Sequence, residues 1–133
     1  MTQFIMNDIT EKIANDPYVR FLGINIDKVE KGYASCSVTI TENMFNFIGL
    51  VHGGLIFSLA DVAFSAASNS DYLPSYALDV SGSFLKTAKI GDVIVAEARL
   101  IHTTKRTGVY RMNVLNNNEL IATFNGTVFR KVS

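Results

Sequence analysis

The chain has 133 residues, of which 48% are hydrophobic, and its formal net charge is zero. This length is enough to bury a core, so we expect a single domain over residues 1–133. The hydrophobic content excludes an intrinsically disordered chain, and the balanced charge argues against a general nucleic-acid partner.

Positive charge is concentrated in the C-terminal third of the chain. From residue 86 onward, eight lysines and arginines face three acidic residues, a net charge of +5 that the preceding residues balance with −5. This distribution favours a small anionic ligand over a nucleic-acid groove, although solvated surfaces also produce such asymmetry by chance.

The N-terminal segment predicts a short amphipathic helix. Ile5, Ile9 and Ile13 are four residues apart, Asn7 or Asp8 can cap the helix, and the segment ends at the sequence NDP. No basic start followed by an apolar core is found there, and no uncharged apolar run in the chain reaches membrane-spanning length. We therefore expect a cytoplasmic protein with no membrane partner.

Strand patterns flank one long apolar segment. FLGINIDKV and GYASCSVTI precede it, and the second of these alternates strictly, with Ala34, Cys36, Val38 and Ile40 on one face. Four alternating runs follow it, marked by Leu78, Val80, Gly82 and Phe84, by Ile94, Ala96, Ala98 and Leu100, by Tyr110, Met112 and Val114, and by Leu120, Ala122, Phe124, Gly126 and Val128. A turn at NNNE joins the last two runs as a hairpin. The order of helix, two strands, long buried helix and four strands indicates an α+β fold with an antiparallel sheet.

The chain contains one cysteine, Cys36, and two histidines. Cys36 cannot form an intramolecular disulfide, and its apolar position in the alternating run favours a buried packing role. One cysteine and two histidines are not an adequate zinc ligand set, so we expect no metal and no cofactor.

The long apolar segment carries a narrow polar stripe. On a helical wheel Ser58, Asp61, Ser65 and Ser68 fall within an arc of about 80°, and the other positions of the segment are mostly apolar. A carboxylate in such surroundings loses solvation. Two interpretations remain open: either neighbouring serines or backbone groups satisfy Asp61, or the stripe lines a cavity in which Asp61 is a base or a nucleophile.

Gly53 and Gly54 come before this apolar run. Glycines at a helix N-terminus leave N–H groups that suit an oxyanion or a polarised carbonyl, although they also serve flexibility at a turn. Gly53 and Asp61 are eight residues apart, about 12 Å along one helix, whereas donor and nucleophile must converge on one carbonyl within about 3 Å. If both act in one site, that site is built between two antiparallel copies of the chain, as in a symmetric dimer.

The pattern NxIGLVHGGxxFSLADxAFSxAxNS, followed by FLKTAKIGD, resembles the hotdog-fold acyl-CoA thioesterases of the phenylacetate-degradation (PaaI-like) group. The likeness covers essentially the whole chain. It implies a hotdog fold, in which an antiparallel sheet wraps a long central helix, and subunits that join their sheets edge to edge as a homodimer and often pair again as a homotetramer. It also implies hydrolysis of an aryl- or fatty-acyl-CoA thioester.

The resemblance assigns roles to single residues. In similar enzymes the residue matching Asp61 is the nucleophile or the general base for water, the N–H of the residue matching Gly53 polarises the carbonyl, and the residue matching Asn46 places the carbonyl or the water. His52 matches a positioning residue whose ring bonds nearby backbone, although a lone histidine there could also be a base. Ala77 stands where many relatives have serine or threonine. The expected contacts of substrate and coenzyme A are His52, Gly54, Ser65, Phe84, Lys86, Lys89, His102, Lys105 and Arg106.

Two other functions are compatible with this fold. A non-catalytic acyl-CoA binding or sensing module would keep the cavity and the basic rim but would not need Asp61. A dehydratase would need a histidine and an acid acting together, and the sequence offers no second acid suitably close to His52.

Overall fold

The computed structural model describes residues 9–71 and 73–131. The elements in chain order are α1 (Pro17–Leu22), β1 (Asn25–Glu30), β2 (Tyr33–Thr39), a 3-10 turn (Glu42–Met44), α2 (Gly53–Ser68), β3 (Ser75–Phe84), β4 (Val93–Thr103), β5 (Thr107–Asn116) and β6 (Glu119–Arg130). The predicted order of two strands, one long helix and four strands is confirmed.

The N-terminal region contains one more helix than the sequence suggested. Residues 9–14 are helical, as predicted, while Ile5, Asn7 and Asp8 lie outside the described residues. The expectation that FLGINIDKV is a strand throughout is wrong at its start. The side chain of Asp16 accepts hydrogen bonds from the first N–H groups of α1, a proline occupies the first turn, and Gly23 ends the helix in the left-handed region at φ 72°. This capping chemistry places the first two residues of that stretch in α1.

All six strands form one antiparallel sheet in the order β1-β2-β4-β5-β6-β3. The predicted β5–β6 hairpin is confirmed, and Asn117 and Asn118 turn the chain with φ values of 53° and 67°. Asparagine tolerates this left-handed conformation, which two-residue hairpin turns require.

Helix α2 lies against one face of the sheet, and the apolar side chains between them form the core. Leu59 and Ala63 of α2 are fully buried, as are Ala34, Cys36 and Val38 of β2. The Cys36 thiol donates to the Leu59 carbonyl at 3.3 Å, and burial raises its pKa to about 12. Cys36 is therefore an un-ionised packing residue, as its place in the alternation predicted.

Contact between α2 and β6 is close at Gly126. A Cβ atom there would lie 2.6 Å from the Phe64 ring, so only glycine leaves room for the ring to pack against the strand. The Phe64 ring also packs edge-on against Tyr110 of β5. These contacts seat the C-terminal half of α2 firmly on the sheet.

Strand β3 is an edge of the sheet, with β6 as its partner on one side. The sequence places Leu78, Val80 and Phe84 on one apolar face, but in this chain Leu78 and Phe84 are 58% and 54% exposed, and the register shifts between Ala77 and Asp79. A ten-residue edge strand with exposed apolar side chains is a surface on which another strand can pair.

Residues 9–71 and 73–131 contain no candidate membrane-spanning helix and no candidate metal-binding cluster. No helix there is long and apolar enough to cross a membrane. In the same residues no group of three or more histidine, cysteine, aspartate or glutamate side chains is arranged to hold a metal ion.

Candidate active site

The N-terminus of α2 is capped by the histidine before it. The Nδ1 atom of His52 accepts a hydrogen bond from the Gly54 N–H at 2.8 Å. A Cβ atom on Gly54 would lie 3.0 Å from that nitrogen, so glycine leaves room for the ring. The expected contact between the His52 ring and nearby backbone is present, and it corrects the expectation that both glycine N–H groups are open. The Gly54 N–H is occupied, whereas the Gly53 N–H has no hydrogen-bond partner in the described part of the chain.

Asn46 is held in the turn that leads to α2. Its side-chain oxygen accepts hydrogen bonds from the N–H groups of Ile48, at 3.1 Å, and Leu50, at 3.0 Å. These bonds use the acceptor and leave the side-chain NH₂ group as the donor that can serve a ligand.

Asn46 and Gly53 line a common cleft of about 370 Å³. We call it the Gly53 cleft, and it is lined by Asn46, Leu50, Val51, Gly53, Ile56, Phe84, Leu85, Lys86 and Thr87. The structure therefore brings together Asn46, Gly53, Phe84 and Lys86 of the predicted site. A Cβ atom on Gly53 would lie 3.4 Å from the Phe84 ring, which is ordinary contact.

Asp61 lies in the middle of α2, away from that cleft. Burial raises the pKa of its carboxyl above the ordinary 3.8. Across residues 9–71 and 73–131 no side chain or backbone group donates a hydrogen bond to this carboxylate. The serines of the stripe do not satisfy it, because Ser58 is 2.9 Å from the Tyr18 hydroxyl and Ser68 donates to the Ser65 carbonyl at 3.3 Å.

Asp61 borders a cleft of about 160 Å³ beside the first residues of β3. We call it the serine cleft, and it is lined by Asp61, Phe64, Ser65, Ser68, Ser75, Tyr76, Ala77 and Val128. Ala77, the position at which the resemblance implied a hydroxyl in other members, is part of this lining. The Ser75 hydroxyl donates to the Leu73 carbonyl at 3.1 Å.

A second cleft of about 120 Å³ reaches Asp61 from the side of the N-terminal helices. We call it the N-terminal cleft, and it is lined by Ile13, Asp16, Tyr18, Val19, Asp61, Val62 and Ser65. Sequence reasoning missed Tyr18. The capping pattern DP before it was the available signal, since it starts a helix that carries this side chain back over α2.

Gly53 and Asp61 belong to one continuous helix, so about 12 Å of helix separates them, as the sequence predicted. The Gly53 cleft and the serine cleft share no lining residue. One chain therefore does not place the free N–H and the carboxylate around one carbonyl.

The predicted coenzyme A contacts also divide between two ends of the sheet. Lys86 pairs with Glu119 at the β5–β6 turn, and the backbone N–H of Lys89 donates to Asp92 nearby. Lys105 and Arg106 lie in the turn before β5, at the opposite end of that ten-residue strand, about 30 Å away. His102 is exposed in β4, close to that second turn.

Comparison with known proteins identifies the family. A model of the thioesterase superfamily matches residues 48–122. The chain belongs to this superfamily. It is 38% identical to acyl-coenzyme A thioesterase PaaI of Escherichia coli over 117 residues, which are 87% of this chain and 84% of the relative. The solved E. coli PaaI structure superimposes with a TM-score of 0.87 at 34% identity, covering 95% of this chain and 96% of that one.

Other members extend the similarity. A 1,4-dihydroxy-2-naphthoyl-CoA hydrolase of Listeria monocytogenes is 30% identical over 101 residues, covering 74% of this chain and 81% of the relative. A Streptococcus mutans structure bound to acetyl CoA superimposes with a TM-score of 0.77 at 28% identity, covering 81% of this chain and 88% of that one. The predicted hotdog fold and the PaaI-like family are confirmed.

Proposed function

We propose that this thioesterase-superfamily protein hydrolyses an aryl- or fatty-acyl-CoA thioester to the free acid and coenzyme A. The observation that carries the proposal is the carboxylate of Asp61, which is half-buried in an apolar helix with no hydrogen-bond partner among the described residues. Such a group costs stability, and active sites are where proteins keep groups of this kind. The CoA thioesters in the names of the relatives support the substrate class.

The proposed reaction uses groups from two copies of the chain. The Gly53 N–H and the Asn46 NH₂ group of one copy donate to the thioester carbonyl oxygen and stabilise the negative charge that develops there. Asp61 of the other copy either attacks the carbonyl carbon, giving an anhydride that water then cleaves, or removes a proton from the attacking water. By either route the carbon–sulfur bond breaks and the sulfur leaves as coenzyme A thiolate, which takes a proton from Asp61 in the base route and from water in the nucleophile route.

Strand β3 supplies the surface for this pairing. If two β3 edges pair antiparallel, the Phe84 end of one copy comes next to the Ser75 end of the other. The first end adjoins the Gly53 cleft and the second adjoins the serine cleft. Each homodimer then contains two equivalent sites, and we propose further pairing of dimers into a homotetramer.

The same pairing explains the divided positive charge. It moves Lys86 and Lys89 of one copy to the end of the sheet where the other copy carries Lys105 and Arg106. Together these four cations, with His102 at the margin, form a rim suited to the phosphates of coenzyme A.

A panel of thioesters tests the proposal directly. The protein is incubated with phenylacetyl-, hydroxybenzoyl- and straight-chain acyl-CoA esters, and the free thiol is followed with time. We expect turnover of at least one class, together with sedimentation as a dimer or a tetramer. Tight binding of acyl-CoA with no thiol released would instead support a non-catalytic acyl-CoA module. A fully active monomer at high dilution would contradict the shared site.

A further inference from the structure

Asp61 is bordered on both sides, by the serine cleft and by the N-terminal cleft, and the reaction proposed above uses only the first. The serine cleft lies beside β3, the edge from which the second copy brings its donors. A thioester that arrives from β3 with its carbonyl at Asp61 must therefore direct its acyl group past Asp61. The space on that far side is the N-terminal cleft.

The lining of the N-terminal cleft combines apolar and polar side chains. Ile13, Val19 and Val62 supply apolar side chains. One oxygen of the Asp16 carboxylate, Oδ1, caps α1 and accepts hydrogen bonds from the N–H groups of Tyr18 at 2.9 Å and Val19 at 3.4 Å. Asp61 and Ser65 add polar groups to the lining, so the apolar contacts for a carbon chain come from Ile13, Val19 and Val62.

Tyr18 lies at the outer side of this cleft, and a hydrogen bond to α2 fixes its position. Its hydroxyl lies 2.9 Å from the Ser58 hydroxyl, which is buried in α2 three residues before Asp61. This hydrogen bond connects α1 to α2 over a sequence separation of 40 residues. The Tyr18 ring therefore has a defined position next to the reacting carboxylate, although half of its surface is exposed.

We propose that the N-terminal cleft is the acyl-binding subsite and that Tyr18 limits the size of the acyl group it accepts. The cleft volume of about 120 Å³ is close to the roughly 150 Å³ of a protein cavity that holds one benzene molecule. An acyl group the size of one aromatic ring fits inside the cleft, whereas a longer chain contacts the Tyr18 side chain. This inference rests on the proposed function for the position of the carbonyl.

Binding of S-alkyl-CoA thioethers tests the inference without requiring catalysis, because these compounds lack the carbonyl and cannot be hydrolysed. Dissociation constants are measured by calorimetry for alkyl groups of two to twelve carbons. For the parent protein we expect affinity to rise with length and then stop rising. With Tyr18→Ala we expect affinity to keep rising, so that the long-to-short affinity ratio increases about tenfold.

Two further variants serve as matched comparisons. Tyr18→Phe keeps the ring but loses the hydrogen bond to Ser58, so we expect a shift in the same direction and smaller than that of Tyr18→Ala. Phe21→Ala removes an aromatic ring from the same helix that is 81% exposed and does not line the cleft, so we expect no change in length dependence. If Tyr18→Ala does not fold, Tyr18→Leu narrows the side chain while keeping an apolar contact.

Each outcome decides between the two proposals. A change at Tyr18 that alters every chain length by one common factor, or an equal shift in Phe21→Ala, overturns the acyl subsite. A Tyr18-dependent length preference in a protein that releases no thiol from any ester keeps the subsite and rejects the hydrolase. Hydrolysis of the esters, combined with a length preference that does not depend on Tyr18, keeps the hydrolase and rejects the subsite.

Discussion

Two regions of α2, its N-terminus at Gly53 and the region around Asp61, carry the two halves of the proposed catalytic site; we call them the Gly53 end and the Asp61 end. At the Gly53 end, the cleft is lined by unoccupied amide donors and a lysine, and none of its lining residues is acidic. At the Asp61 end, the cleft has a carboxylate and several hydroxyls but no basic lining residue. Neither end is chemically sufficient by itself, and the helix keeps the two about 12 Å apart.

The largest expected effect is at the Asp61 end. Asp61→Asn keeps the shape of the side chain and removes its negative charge and basicity, so turnover of acyl-CoA should fall by about a hundredfold or more. KM should change little if binding is at equilibrium, and the measurement is steady-state kinetics on the best ester of the panel. A folded, dimeric variant that hydrolyses at nearly the parent rate would return Asp61 to a structural role.

The Gly53 end should respond almost as strongly to loss of one N–H. Gly53→Pro removes that group at the first position of α2, where proline is well tolerated, and His52 before it already has the extended backbone that proline requires. We expect turnover to fall by about a hundredfold. Gly53→Ala is the matched control, because it retains the N–H and its Cβ makes only ordinary contact with Phe84. An equal loss of turnover in Gly53→Pro and Gly53→Ala would indicate steric crowding at this position instead of a missing N–H donor.

Mixing these two variants tests whether the halves come from different copies. In a dimer of one Asp61→Asn chain and one Gly53→Pro chain, one site has both defects and the other has neither. Random pairing should restore about a quarter of the parent activity, measured after joint refolding or co-expression. A mixture no more active than its components would show that each site draws both groups from one chain.

A smaller effect is expected at the basic turn near the Asp61 end. Lys105→Ala and Arg106→Ala should raise KM for CoA esters by about tenfold and change KM for short N-acetylcysteamine esters much less, because the smaller esters lack the phosphates. Lys131→Ala gives a control with the same loss of charge at an exposed residue outside the predicted contacts. Equal effects on both kinds of ester would place the phosphates elsewhere.

The smallest expected effect is on stability, and it depends on pH. Burial raises the folded-state pKa of Asp61, so ionising this carboxyl costs folding free energy. The cost is absent well below pH 4, where the unfolded carboxyl is also protonated, and it grows as pH rises above the unfolded-state pKa. Asp61→Asn should therefore raise Tm by a few degrees at pH 7, and the difference should vanish near pH 3. Thermal unfolding of both proteins at the two pH values measures it. An equal difference at both would assign it to packing.

Much of the arrangement could be predicted from the sequence because it depends on local geometry. The spacing of Ser58, Asp61 and Ser65 defines one helix face, and the rise of a helix separates Gly53 from Asp61 whatever surrounds them. Alternation in GYASCSVTI likewise placed Cys36 in the core. The PaaI-like pattern added the family and the hotdog architecture.

The tertiary structure alone decided which groups remain free. Gly53 and Gly54 are alike in sequence, but the His52 ring occupies only the second N–H. Tyr18 and Ser58 are 40 residues apart, so no local pattern could place Tyr18 beside Asp61. Lys86 and Lys105 belong to one basic third of the chain, yet the antiparallel course of β5 sends them to opposite ends of the sheet. Local spacing follows from the geometric repeat of the backbone. These outcomes depend instead on packing between residues that are far apart in the chain, which local sequence patterns do not specify.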